Sequence, residues 1–369
     1  MRIAKVESFA LAADLPVPLK ISTLTFNQAY ALLVKITTDD GLTGIGESMV
    51  RVSPAVTKSI IDEVLTPILL GRDPLAIEAL WQDMFRVMRT RGHNRGFWLE
   101  ALGGVDIALW DLMGKRLGQP VHRLLGGMGR EKIEAYGSSI FIKPVREIEN
   151  DVRDFLAKGF KAIKIKIGSG VQKDWETVQL VRQLVGPEVK LMVDANGAYD
   201  ARTAIMLAKK LEKLDIWWFE EPVPADDLPG YVKFSRSVNM AVAGGEAEFT
   251  VYGFRDLMGK GVLDIVQPDI ARVGGFTGCR KIVALAEAYN LPYAPHTGVS
   301  SAVTLAATIQ MAAAAPNFLI YEEMVIDNPM LRILKEPLPS VQNGYISVPS
   351  GPGLGIEVDW EQALAYHKV

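Results

Sequence analysis

The rhythm of hydrophobic and polar positions changes about a third of the way along the chain. Before that point, Arg2–Ala10 and Ala29–Thr37 alternate or run apolar as strands do, and Asp39-Asp40-Gly41 supplies a hairpin turn into Leu42–Gly46. Apolar residues then recur at helical spacing over Ala55–Leu70, behind Pro54 in the first turn. A second helix is expected from Asp73-Pro74 to about Met88, and a third over Phe97–Leu117, stopped by Gly118. This predicts an α+β module over residues 1–125.

From about Glu134, short apolar runs alternate with amphipathic stretches such as Asp174–Leu184, Ala201–Leu214 and Arg280–Tyr289. The runs are Ala135–Ser139, Ala162–Ile167, Leu191–Val193, Ile216–Phe219, Ala241–Ala243, Asp264–Val266, Tyr293–Ala294 and Phe318–Tyr321. Eight strands alternating with helices predict an α/β architecture, a closed TIM-type barrel over residues 126–325. An open doubly wound sheet is the alternative, but no glycine-rich fingerprint follows the first run. The tail, residues 326–369, carries a short strand, Tyr345–Val348, and a glycine-rich turn, Gly351–Gly355, and is expected to pack back on the first module.

Composition narrows the class. A length of 369 residues with 49% hydrophobic and 22% charged residues suits a globular enzyme of two modules. A net charge of −3 leaves no footprint for nucleic acid or an anionic membrane. The most apolar stretch, Val299–Pro316, is interrupted by Ser, Thr and Gln and reads as a buried helix. The one cysteine, Cys279, and an N-terminus without a signal-peptide core fit a soluble cytoplasmic protein.

The chemistry is carried by polar residues at the ends of the predicted strands. Lys166, Asp194, Glu220, Glu246, Asp269, His296 and Glu322 are spaced roughly 23 to 28 residues apart, the length of one strand–helix unit. They should therefore converge at the mouth where barrel enzymes hold their active sites. Asp194, Glu220 and Glu246 on successive strands would repel unless a cation joins them, and an all-oxygen set suits Mg²⁺, with Mn²⁺ an alternative. Lys164 and Lys166 share one strand face by period-two alternation, and neighbouring positive charge is expected to lower their pKa toward a useful base. Asp269 lies one strand before His296 and can orient and polarise its ring. Two choices stay open: Glu248 competes with Glu246, and Glu323 with Glu322.

In order along the chain, Lys164-Ile165-Lys166, Asp194-Ala195-Asn196-Gly197, Glu220-Glu221-Pro222, Gly244-Gly245-Glu246, Gln267-Pro268-Asp269, His296 and Glu322 resemble the enolase superfamily, in particular its mandelate racemase subgroup. The similarity extends to Gly104–Gly114 and Gly351–Glu357, and so covers nearly the whole chain. It implies a modified (β/α)7β barrel under a capping domain built from both chain ends. It also implies Mg²⁺ on Asp194, Glu220 and Glu246, the pairing of such a metal with a Lys or His base being a known case for this superfamily. Lys164 would contact the substrate carboxylate. Lys166 and the His296–Asp269 dyad would flank the α-carbon, a protonated Glu322 would donate to the enolate oxygen, and Asn196 would touch a substrate hydroxyl or carboxylate.

Removal of a proton α to a carboxylate leads to several outcomes. Dehydration of a sugar acid to a 2-keto-3-deoxy acid is the favoured expectation, with cycloisomerisation of a sugar lactone and racemisation or epimerisation of a 2-hydroxy acid as alternatives. A non-catalytic metal-binding barrel is the reading from another class, and a phosphate-handling barrel lacks a good cradle at Gly298–Ser301. Lys20, Thr23, Arg51 and His93 are candidates to read distal hydroxyls. The expected partners are a small carboxylate, a sugar acid or lactone, and further copies of the same chain.

Overall fold

A computed structural model describes residues 1–367. The first strands outrun their polarity pattern: β1 (Ile3–Lys20), β2 (Thr25–Thr38) and β3 (Thr43–Ser48) form an antiparallel sheet. After a bulge beyond Asp14, the β1–β2 ladder resumes at Leu19↔Phe26 and Lys20↔Thr25. The segment Leu19–Asn27 is therefore the tip of a long hairpin.

Glycines on β3 let a helix lie directly on this sheet. A Cβ at Gly46 would stand 2.1 Å from the Gly104 carbonyl oxygen, and one at Gly44 2.2 Å from that of Ala108. The helix so admitted, Phe97–Leu117, is buried along nearly its whole length, as befits one apolar on all sides. It ends at Gly118 in the left-handed conformation, φ 62°. The expected helix Ala55–Leu70 is instead α-helical over Ala55–Ser59, widens to a π-turn over Ile60–Leu65 and closes over Thr66–Leu69. Pro67 has no N–H to give, and the Thr66 N–H reaches back to Ile61. The next helix begins at Ile77 and not at Asp73, whose side chain accepts from Leu75 N in a turn.

The barrel strands are β4 (Lys132–Ile140), β5 (Ala162–Lys166), β6 (Lys190–Asp194), β7 (Ile216–Glu220), β8 (Ala241–Gly244), β9 (Ile265–Val266) and β10 (Tyr321–Met324), in parallel. β10 pairs with β4, and the gap between β9 and β10 is closed by single bridges Val266↔Tyr293 and Tyr293↔Phe318. Pro292 and Pro295 bracket that seventh position and cannot donate to a ladder, so no longer strand forms. The eighth strand begins three residues later than expected, because Phe318 pairs with Tyr293 and the ladder to β4 starts only at Tyr321↔Ala135. Seven strand positions are followed by a helix and β10 is not, which makes the barrel (β/α)7β.

Tyr136, Ala162, Met192, Trp218, Ala243, Ile265, Ala294 and Ile320, one from each strand position, form a buried layer across the barrel. Period-two alternation then places Ser138, Lys164, Asp194, Glu220, Gln267, His296 and Glu322 in the next layer up. The apolar plug is the floor of the polar site.

The tail divides. β11 (Tyr345–Ser347) joins the barrel, antiparallel to β4, where a return to the cap was expected. Lys132–Glu134 precede the point where β10 pairs and so leave that edge of β4 free. The chain beyond β11 does return to the cap: Leu354 N donates to Asp111 at 2.8 Å, and Trp360 packs on Phe9 with ring centres 4.9 Å apart. Among the described residues no helix is long and apolar enough to cross a membrane.

Candidate active site

Three carboxylates form an arc at the top of β6, β7 and β8. One oxygen each of Asp194, Glu220 and Glu246 lies within 4.8 Å of the others. Asp194 closes β6 and accepts from Asn196 N at 2.8 Å, with Asn196 held at φ 46°. Glu220 closes β7, its Oε2 taking hydrogen bonds from Trp218 Nε1 at 3.0 Å and Gln267 Nε2 at 2.7 Å. Glu246 follows Gly244-Gly245, and its Oε2 is buried without a hydrogen-bond partner. Glu248 points away to an ion pair with Arg95, so the arc is completed by Glu246. Orphaned acceptors cluster here: Asn196 Oδ1 and Gln267 Oε1 also lack partners. Buried acceptors of this kind call for a donor or a cation. The hard oxygen donors, with Glu246 Oε2 making no hydrogen bond, fit a divalent ion.

The lysines enter from β5. Lys164 is fully buried, with Nζ 2.5 Å from Glu220 Oε1, 2.8 Å from Glu322 Oε1 and 3.8 Å from Asp194 Oδ2. Lys166 forms an ion pair with Asp194. The packed carboxylates act against the lowering expected from neighbouring cations. Burial alone lowers the Lys164 ammonium, but Glu220 and Glu322 more than offset it and hold it well above its usual range. For Lys166, burial is likewise outweighed, by Asp194 first. The lysines face carboxylates at contact distance, whereas the expectation weighed the cations alone.

On the other side, His296 Nδ1 is 2.8 Å from Asp269 Oδ2, and Asp269 Oδ1 accepts from Ala271 N at 3.0 Å. His296 Nε2 lies 3.3 Å from Glu246 Oε2. Burial lowers the imidazole pKa, but Glu246 and the Asp269 hydrogen bond raise it above its ordinary value.

Glu322, and not Glu323, faces the site, since alternation along β10 turns successive side chains apart. Its surroundings favour the charged form, against the protonation that the resemblance implied. Burial raises it, yet Lys164, His296 and Lys166 hold it well below the usual carboxylate range. It accepts from Ser138 Oγ at 2.7 Å, Lys164 Nζ at 2.8 Å and Thr297 N at 2.8 Å. All three of these bonds have Glu322 as acceptor, and Lys164 is the donor at that end. Burial pushes Glu323, on the other face, up to about 7.

The capping candidates separate. Arg51 reaches the site, with Nη2 3.9 Å from Asp269 Oδ2, and it also lines a cavity of about 410 Å³ with Thr25, Asn27 and Gln28 of the hairpin. Lys20, Thr23 and His93 are exposed, and among the described residues none of their side chains bonds to the site. Ser22 is the hairpin residue that does reach the barrel mouth, donating to Ala195 O at 2.7 Å. Several contributors were missed: Ser138, Gln267, Trp218 and Thr297. Ser138, Trp218 and Gln267 each lie two residues from, or in, the apolar plug, so alternation could have marked them.

A barrel of seven strand–helix units and one bare strand, capped by a module from the chain's other parts and bearing an acidic arc between a lysine and a histidine, defines an enolase-type enzyme fold. The chain belongs to the mandelate racemase / muconate lactonizing enzyme family: residues 5–126 match its N-terminal domain and residues 147–363 match the enolase C-terminal domain-like family. It is 36% identical, over 97% of both chains, to a D-galactarolactone cycloisomerase from Agrobacterium fabrum. It is 34% identical to an arabinonate dehydratase from Saccharolobus solfataricus, covering 92% of this chain and 91% of that one. Among solved structures, a racemase from Streptomyces coelicolor with bound magnesium superposes with a TM-score of 0.92 at 33% identity, over 99% of this chain and 100% of that one.

Proposed function

We propose that the protein is a Mg²⁺-dependent enzyme that abstracts the proton α to the carboxylate of a sugar acid and expels the β-hydroxyl, giving a 2-keto-3-deoxy acid. The observation that carries this is the placement of two acid/base groups at opposite ends of one carboxylate arc: Lys166 on Asp194, and His296 at Glu246. Asp194, Glu220 and Glu246 would hold the ion, with Mn²⁺ able to replace Mg²⁺. When bound, the ion polarises the substrate carboxylate and so acidifies the α-proton.

The chain's own residues do the rest. Lys164 donates to the substrate carboxylate and balances its charge. Lys166 and His296 take and return protons on the two faces of the α-carbon, and Asp269 holds the His296 ring so that Nε2 faces the substrate. In dehydration, His296 hands its proton to the departing hydroxyl. Asn196 offers its side chain to a substrate oxygen, Glu322 keeps Lys164 in place, and Arg51 with the hairpin tip meets the polyhydroxylated end.

Cycloisomerisation of a sugar lactone is the second reading, favoured by the similarity to the Agrobacterium fabrum cycloisomerase. A proton NMR time course in D₂O over a panel of aldonates, aldarates and their lactones separates the two. New methylene protons at C3 mark dehydration, and a new ring spectrum of unchanged mass marks cycloisomerisation. α-Deuteration alone marks epimerisation, and a panel left unchanged in the presence of Mg²⁺ removes the sugar-acid reading.

A further inference from the structure

Glu47 takes no part in the chemistry above, yet it is a buried carboxylate that crosses from the capping sheet into the barrel. It stands on β3, and its Oε1 accepts from Ser301 N at 3.0 Å. Its Oε2 accepts from Ser301 Oγ at 2.6 Å and from Thr304 N at 2.8 Å. These donors are the N-terminal turn of helix Ala302–Ala314, which follows the seventh strand position. Ser301 Oγ accepts from Val303 N, and Glu47 completes the cap by taking the Thr304 N–H from outside the helix's own module. Burying a carboxylate is costly even with three donors, and Glu47 stands on the capping sheet and not on the helix it caps, so tying the two modules together is a further purpose.

That purpose is legible in the short loop between His296 and Ser301. Thr297 N is bonded to Glu322 at 2.8 Å, Ser300 Oγ donates to Thr297 O at 2.6 Å, and Asn328 donates to Ser300 O at 2.8 Å. Gly298 sits at φ 56°, where an added Cβ would stand 2.4 Å from Arg51 Nη2 and 3.0 Å from His296 Cε1. The loop is tied to β10 through Thr297 and to the segment beyond β10 through Ser300, and Glu47 fixes its far end to the cap. Any slip of helix Ala302–Ala314 against the cap must pass through this loop to the His296 ring.

We propose that Glu47 is a positioning residue for His296: it sets where the imidazole stands between Asp269 and Glu246 by locking the helix beyond that loop to the capping sheet. This rests on the reading of His296 as an acid/base group. A displacement of about 1 Å in a reacting group can cost on the order of 100-fold in rate, so an indirect contact of this kind is worth keeping.

The test compares the wild type with Glu47→Gln, in which one of the three donors must oppose an amide N–H₂. With histidine labelled in ¹⁵N, the low-field proton on His296 Nδ1, assigned by its loss in His296→Asn, reports the bond to Asp269. The expected result is a folded variant whose Nδ1 proton moves or broadens. On a converted sugar acid, kcat should fall about 10- to 100-fold, with KM within about 3-fold. A folded Glu47→Gln with that proton and kcat both unchanged overturns the proposal. Should Glu47→Gln not fold, Ser301→Ala removes one contact to Glu47, and the same proton must still shift; if it does not, the proposal fails. Should the wild type convert no sugar acid, the functional reading fails by itself, and the proton signal alone decides the role of Glu47.

Discussion

Lys166 and His296 approach the same arc of carboxylates from its two ends: Lys166 is ion-paired with Asp194 on β6, and His296 Nε2 stands 3.3 Å from Glu246 beyond β8. A substrate carbon held over the arc therefore has one proton carrier on each side.

Removal of His296 should silence one side only. His296→Asn is expected to lower kcat on the true substrate by about 100- to 10,000-fold with the fold intact. Exchange of the α-proton with D₂O should persist for the configuration presented to Lys166, read by proton NMR. Wild-type turnover in this variant would show the dyad to be structural.

The arc should respond to metal in stability as well as in rate. Three carboxylates within 4.8 Å of one another repel, and an ion that binds only the folded state relieves this. At a Mg²⁺ concentration about 100 times its Kd, the gain is about 2.7 kcal/mol. Calorimetry with and without EDTA should show a melting temperature several degrees higher with Mg²⁺, and an effect lost in Glu246→Gln. Equal melting curves would count against a metal on these residues.

Asp106, on the cap helix, accepts from Thr277 N at 2.9 Å, while its other oxygen has no partner. Burial pushes its carboxyl up to about 7 from 3.8. Between those values the folded state holds a proton that the unfolded state has released, so stability falls as pH rises through that window and is lowest above it. Asp106→Asn removes this slope. Relative to the wild type it should gain on the order of 2–4 kcal/mol between pH 4 and pH 8, by urea unfolding at each pH. A difference independent of pH would show that Asp106 does not titrate there.

The cap's close packing gives a sharper test of fold. Gly46→Ala puts a methyl group 2.1 Å from the Gly104 carbonyl oxygen, a contact that backbone must move to relieve. A loss of roughly 3 kcal/mol or more is expected, at the upper end for overpacking, visible as a lower urea midpoint. Gly41→Ala, in a turn with open space but φ 86°, should cost about 1 kcal/mol from backbone strain alone.

What could be read along the chain was what depends on period and spacing. Strand and helix repeats marked the barrel, and the near-constant interval from Lys166 to Glu322 placed Asp194, Glu220, Glu246, Asp269 and His296 at one mouth. Strand alternation alone separates Glu322 from Glu323 once β10 is located. Other features depended on which segments meet in space. Ser301 meets Glu47 across 254 positions of sequence, and Trp110 Nε1 meets Thr277 across 167, contacts that no local pattern encodes. Pro292 and Pro295 reduced a strand to bridges, and a long hairpin carried Ser22 to the barrel mouth while leaving Lys20 and Thr23 in solvent. Charge states needed the packed distances most of all. Coulomb interactions grow as separation shrinks and as water is excluded, so at 2.8 Å in a buried layer Lys164 and Glu322 each favour the other's charged form, against the weakly basic lysines and protonated Glu322 that sequence alone implied.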